Sequence, residues 1–159
     1  MEFLIAADEI GVKLEIVGGQ TSWEFFPGIL HQEESYRIQS SIKRSTPGSD
    51  CGCFHLADVY VKFAEGSVKR PDLAIWCSRP NDHEGFVYQI PEAVIEIVSP
   101  GSHHKDLVVG PPFYLAQGIR DVVVFDPRTG EIFWHTPVGE KRLTTPTKVA
   151  FACGCEATV

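Results

Sequence analysis

The chain has 159 residues, 43% of them apolar and 22% charged, the balance of an ordinary globular protein with one core. Its formal net charge of −7 excludes a basic coat for nucleic acid, but an acidic, metal-holding catalytic centre remains compatible with it. No apolar run is long enough for a membrane helix, and Met1 to Gly11 carries Glu2, Asp8 and Glu9 without Lys or Arg, unlike a secretory signal. The expectation is one cytoplasmic domain over residues 1–159, with no membrane partner.

The elements follow from the patterning. Val12 to Val17 alternates apolar and polar residues, Gly18-Gly19 can turn, and Thr21 to Phe26 returns: a β-hairpin. Pro27-Gly28 interrupts. Ile29, Leu30, Tyr36, Ile38 and Ile42 predict an amphipathic helix over Ile29 to Lys43. Thr46 to Asp50 reads as a loop. Val59, Val61 and Phe63 mark a strand, Glu65-Gly66 a turn, Arg70 to Trp76 another strand, and Ser78 to Gly85 a polar loop. Glu92 to Val98 is the most apolar strand, expected at the centre of a sheet covered on both faces. Pro100 to Lys105 is a loop, and Pro111 to Gly118 a short helix with Pro near its start and Gly at its end. Asp121 to Phe125 is a second central strand. It turns through Asp126-Pro127-Arg128-Thr129-Gly130 into Glu131 to His135. Lys141 to Cys155 is expected to give one more strand and an irregular end. The order predicts an α/β (α+β) fold with a mixed sheet and flanking helices.

Five cysteines include two Cys-Gly-Cys pairs, Cys51/Cys53 and Cys153/Cys155, with Cys77 alone. Without a secretory signal they do not read as a disulfide framework. Four thiolates can hold zinc tetrahedrally, but structural zinc sites use longer spacers, so buried, unliganded thiols are the expectation.

A carboxylate inside an apolar strand is costly unless a cation faces it. Glu96 is such a residue, in "AVIEIVS". Glu15 and Asp72 also lie on or beside strands, and neighbouring strands can bring carboxylates to one point. Such a group suits Mg²⁺ or Mn²⁺, which prefer oxygen ligands and can activate water against a phosphodiester. The bland alternatives are a buried salt bridge for Glu96, a turn role for Asp72 and a solvated face for Glu15. His31 reads as a surface residue at a helix start, His103-His104-Lys105 as a solvated loop, and Tyr114 as core. Lys43-Arg44, Lys69-Arg70 and Lys141-Arg142 are the basic pairs available to DNA phosphates, the second lying just before Asp72.

"KLEIVGG", "GILHQ", "VKRPDLAI", "AVIEIVSPGS" and "FYLAQGIRDVVVFDPRTGEIFWH", in this order over residues 12 to 135, resemble the Uma2 family (DUF820). That family is a branch of the PD-(D/E)xK restriction-endonuclease-like superfamily. The resemblance implies a mixed sheet forked around the active site, and DNA hydrolysis with Mg²⁺ or Mn²⁺. Asp72 and Glu96 would be catalytic metal ligands, with Glu15, His31 and Tyr114 in support, and a homodimer is an expected assembly. The sequence departs from the pattern at the superfamily lysine. Val98 stands two residues after Glu96, and Gly110 stands four before Tyr114, where Uma2 relatives carry the lysine. Lys105 is the candidate replacement. A relative that keeps the fold without catalysis, acting in binding or regulation, is the alternative.

Overall fold

A computed structural model of the chain describes residues 2–45, 47, 49–102 and 105–159. The elements are α1 (Glu2–Glu9), β1 (Val12–Val17), β2 (Gln20–Phe25), α2 (Ile29–Ser41), β3 (Lys43–Arg44), β4 (Phe54–Ala57), β5 (Tyr60–Lys62), β6 (Val68–Lys69), β7 (Leu73–Trp76), β8 (Asp82–His83), β9 (Phe86–Val87) and β10 (Ala93–Ile97). A π-helical turn, Lys105–Val109, then leads into α3 (Gly110–Ala116), β11 (Asp121–Asp126), β12 (Glu131–Thr136), β13 (Gly139–Thr144), β14 (Lys148–Ala150) and β15 (Cys155–Thr158).

The central sheet has the order β13-β12-β11-β10-β7-β4. Its middle strands β10 and β11 are parallel, Ala93 opposite Asp121 through Ile97 opposite Phe125, and every residue of both is buried. This is why their sequences run apolar instead of alternating. Their pleat separates two cores. Ala93, Ile95 and Ile97 join Leu73, Ile75 and Ile38 of α2. Val94 joins Ala74, Trp76 and Tyr114 of α3. Glu96 shares the parity of Val94, so it projects toward the α3 face.

A second sheet, β2-β1-β6-β5-β9-β8, carries the hairpin at one edge. Gly18 and Gly19 both have positive φ, +56° and +80°, the geometry a two-residue turn of this kind demands. The turn fixes the register from Val17 opposite Gln20 to Val12 opposite Phe25. A third sheet, β14-β15-β3, closes over the C-terminal segment.

Several expectations need correction. The helix expected to reach Lys43 stops at Ser41. Ile42 is extended and Lys43–Arg44 pairs with β15 instead. The buried stripe of α2 is His31, Ser35 and Ile38, while Ile29, Leu30 and Tyr36 face outward. The strand expected from Arg70 begins at Leu73, because Pro71 has no N–H and the Asp72 N–H is taken by the Glu96 side chain. α1 and β4 were not anticipated. The C-terminal part after Lys141 holds three strands: β13 ends before Pro146, and β14 and β15 form a hairpin. The loop expected over Thr46 to Asp50 and the His103-His104 pair lie partly or wholly outside the described residues.

Candidate active site

β1 alternates Leu14 and Ile16 with Lys13 and Glu15, and the second pair is sent into a cleft between the two large sheets, where both are buried. Lys69 at the end of β6 and Asp72 just before β7 enter the same cleft from the neighbouring chain segment. Glu96 comes from mid-β10, His31 from the first turn of α2, Lys105 and Asp106 from the π-helical turn, and Tyr114 from α3.

Asp72 and Glu96 are braced through each other's backbones. The Asp72 N–H donates to Glu96 Oε2 at 3.2 Å, and the Ile97 N–H donates to Asp72 Oδ2 at 2.8 Å. Each carboxylate has a further partner. Lys13 Nζ lies 3.3 Å from Asp72 Oδ1, His31 Nε2 lies 3.1 Å from Asp72 Oδ2, and the Tyr114 O–H donates to Glu96 Oε1 at 2.6 Å. Glu15 forms a separate ion pair, 2.6 Å to Lys69 Nζ, and accepts the Arg70 N–H at 2.8 Å. Lys105 Nζ joins the two halves of the cleft, 2.7 Å from Glu24, 3.3 Å from Glu15 and 3.5 Å from Asp106.

The electrostatics follow from burial and these contacts. Burial raises every carboxyl here. For Glu15, Lys69 with Lys105 and Lys13 outweighs that penalty and holds the pKa down at about 2. For Asp72, Lys13 and His31 do the same and keep it well below the usual carboxylate range. Glu96 goes the other way: burial and the adjacent Asp72 charge push it up to about 8. Asp106 is raised to about 6, chiefly by burial. Lys13 and Lys105 stay cationic despite burial, because carboxylates surround both. Asp72 and the flanking Lys13, His31, Lys105, Asp106 and Ser102 line a small cavity of about 10 Å³, room for one water-sized sphere.

The structure thus brings Glu15, His31, Asp72, Glu96, Lys105 and Tyr114 into one region. His31 and Glu15 are buried, against the surface roles open to them from sequence. Lys105 reaches the cleft but contacts Glu15, Glu24 and Asp106 instead of Asp72 or Glu96. Sequence reading missed Lys13, Glu24 and Asp106, and gave Lys69 an outward role. A signal existed for two of them. Counting the hairpin back from its two-residue turn sets Lys13 opposite Glu24, on the same face as Glu15. Lys69 and Arg70 are not free phosphate contacts: Lys69 is buried against Glu15, and Arg70 is held by Asp8 and Asp58. Lys141 and Arg142 sit on β13, stacked over Trp134 and Phe133.

The cysteines also differ from expectation. Cys51 is bonded to Cys77 and Cys53 to Cys155, leaving Cys153 as the free thiol. The central sheet and the third sheet bring together segments 26 and 102 residues apart, a proximity that sequence spacing does not reveal.

The comparisons agree with this architecture. The fold is similar to that of a crystal structure described as "a putative nuclease belonging to DUF820 from Anabaena variabilis ATCC 29413", with a TM-score of 0.67 and 19% identity over 86% of this chain and 80% of that one. No curated protein matches the chain. The fold is restriction-endonuclease-like. The Uma2 family model, described as "Putative restriction endonuclease", matches residues 1–151, and the chain belongs to the Uma2 family.

Proposed function

We propose that the protein is a metal-dependent endonuclease that hydrolyses DNA phosphodiester bonds, with Asp72 and Glu96 as the carboxylates that hold Mg²⁺ or Mn²⁺. The observation that carries this reading is the mutual bracing of Asp72 and Glu96, two buried acids locked side by side by backbone N–H groups. The donor set fits a hard cation. Five carboxylates (Glu15, Glu24, Asp72, Glu96, Asp106) share the cleft with Lys13, Lys69, Lys105 and His31, and burial with the Asp72 charge pushes Glu96 up to about 8, so a divalent ion beside it would let that carboxyl ionise. When bound, such an ion lowers the pKa of a coordinated water and polarises a phosphoryl oxygen.

The chain's own groups do the rest. His31 and the Ile97 N–H hold the Asp72 carboxylate in place, and Tyr114 holds that of Glu96. Lys13 and Lys105 line the cavity and oppose negative charge developing on a phosphate. Lys13 approaches Asp72 directly, so it takes the role left open by Gly110 more readily than Lys105 does. Beside the cavity, Trp23, Phe25 and Phe26 are exposed and line a groove of about 440 Å³ with Pro100 and Gly101. Aromatic faces next to an acidic cleft suit unstacked bases.

The test is cleavage of supercoiled and linear DNA with Mn²⁺ or Mg²⁺, comparing wild type with Glu96→Gln. Cleavage that needs the metal and vanishes in the variant supports the reading. No cleavage by folded wild type at high protein excess sinks it. A non-catalytic role in binding or regulation is favoured by one observation. Lys13 and His31 occupy both oxygens of Asp72, and no three carboxylate or imidazole groups of this cleft come within 4.8 Å of one another among the described residues. That reading expects DNA retention without hydrolysis.

A further inference from the structure

The five cysteines gather at one place that shares no residue with the acidic cleft. Cys51 and Cys53 precede β4, Cys77 follows β7, and Cys153 and Cys155 flank the turn from β14 into β15. The Sγ atoms of Cys51, Cys153 and Cys155 all lie within 4.8 Å of one another, and Cys51 Sγ is 3.4 Å from Cys155 Sγ. Cys53 and Cys77 are each bonded to a member of that trio. A tetrahedron of sulfurs at zinc–sulfur distances of about 2.3 Å has edges of about 3.8 Å. The cluster has this scale already.

Both Cys-Gly-Cys turns are built for close approach. A Cβ on Gly52 would meet the Cys77 carbonyl at 2.8 Å, and one on Gly154, whose φ is +91°, would collide with the Ser49 side chain. Cys53 itself adopts φ of +51°, which a non-glycine residue holds only when its surroundings impose it. Two disulfides account for four sulfurs. They do not account for Cys153, a fifth sulfur aimed into the same cluster. Cys51, Cys53 and Cys155 are buried, while Cys77 and Cys153 are half-buried and give an ion its way in.

We propose that the reduced chain binds one zinc ion through Cys51, Cys153 and Cys155, with the fourth thiolate from Cys53 or Cys77. In the oxidised chain the same sulfurs form the two disulfides. Reduction of each disulfide takes two electrons and two protons from a dithiol, which becomes a disulfide in turn. Zinc then displaces the protons of four thiols to solvent and is held by four thiolates. The site is structural: it ties the segment before β4 to the β14–β15 turn, and to β7 as well where Cys77 is the fourth ligand, and no open position is left for substrate.

The test uses the full chain, reduced with a dithiol under nitrogen, desalted, and titrated with Zn²⁺ against a chromophoric chelator, with Co²⁺ as a spectroscopic probe. Wild type, Cys153→Ser and Asp72→Asn are compared. Cys153 belongs to neither disulfide, so its serine variant separates ligation from cross-linking. The expected result is one zinc per chain and a thiolate-to-cobalt charge-transfer band with the d–d bands of tetrahedral cobalt. Affinity should fall at least about 100-fold in Cys153→Ser, the upper end of what losing an outer-shell partner costs, and stay unchanged in Asp72→Asn. The proposal fails if Cys153→Ser binds as tightly as wild type, or if Asp72→Asn loses the zinc. It fails equally if the reduced wild type takes up none, or unfolds and is not refolded by one equivalent.

Discussion

Replacing Glu15 with glutamine removes the anion that faces a buried ammonium, and the consequence is calculable. Glu15 and Lys69 are each 2% exposed and 2.6 Å apart. Burial penalises the Glu15 carboxylate, yet Lys69 with its neighbours lowers its pKa from 4.5 to about 2. At about 1.4 kcal/mol per unit, that shift contributes about 3 kcal/mol to stability at neutral pH. A folded-state value below the unfolded one means the contribution is complete above pH 4.5 and lost as pH falls toward 2. At pH 3 about 2 of the 3 kcal/mol is already gone. Urea unfolding of wild type and Glu15→Gln should therefore show a gap of about 3 kcal/mol at pH 7 that closes to about 1 at pH 3. Leaving Lys69 buried without its partner costs 3–5 kcal/mol by the general experience of broken buried pairs, the same order. A gap of equal size at both pH values, with unchanged m-values, would refute the assignment. Adding Lys69→Met to the variant should recover most of the loss, since an apolar pair of similar volume replaces the ions.

Three further outcomes are expected. Lys13→Met should lower metal-dependent cleavage by about 10²–10³-fold with an unchanged circular dichroism spectrum, because Lys13 is the ammonium nearest Asp72. Gly154→Ala should destabilise by roughly 1–2 kcal/mol more than Gly18→Ala in urea titrations. Both positions have positive φ, so that penalty cancels, and the difference is the overpacking at Gly154, where alone the new Cβ meets another side chain. Reduction in the presence of a chelator opens both disulfides and should cost at least about 4–5 kcal/mol, the chain-entropy value for the 102-residue separation that Cys53–Cys155 closes by itself, measured as a shift in the urea midpoint.

The parts of the fold legible in the sequence were those set by local pattern. Gly18-Gly19 defined the hairpin, and the unbroken apolar runs around Val94 and Val123 identified the buried parallel strands. The parts that escaped depend on long-range pairing. β3 exists because β15 lies beside it, and the face of α2 is set at one end by the polar cleft, which draws in His31, and further along by the core, which takes Ile38, while Ile29 and Tyr36 are left outside. The candidate site divides the same way. Glu96 stood out because an acid in an apolar run demands a partner. Lys69 did not, because nothing local distinguishes a buried lysine from a solvated one. For the cysteines the sequence offered the two Cys-Gly-Cys pairs as possible thiolates but not their actual partners: Cys77 reaches Cys51 through the pairing of β4 with β7, and Cys155 reaches Cys53 through the packing of the third sheet.

The partner that Glu96 demands is not one residue. Its closest contacts are Tyr114, a neutral donor, and the Asp72 N–H, neither of which carries a charge. Lys13 and Lys69 act on it at longer range, and the nearby Asp72 and Asp106 oppose them. The three lysines of the cleft are spent on Asp72, Glu15, Glu24 and Asp106. Glu96 is therefore the acid that the protein's own cations leave least compensated, which is why its proton affinity rises while those of Asp72 and Glu15 fall. Position 110 lies beside this acid's neutral partner: a Gly110 Cβ would stand 3.8 Å from the Tyr114 ring, and 3.3 Å from the Lys105 carbonyl oxygen. With glycine there, α3 supplies no ammonium, and Glu96 meets the imbalance by holding its proton, its pKa pushed up to about 8. Lys13, delivered by the hairpin from the other sheet, is spent on Asp72 instead.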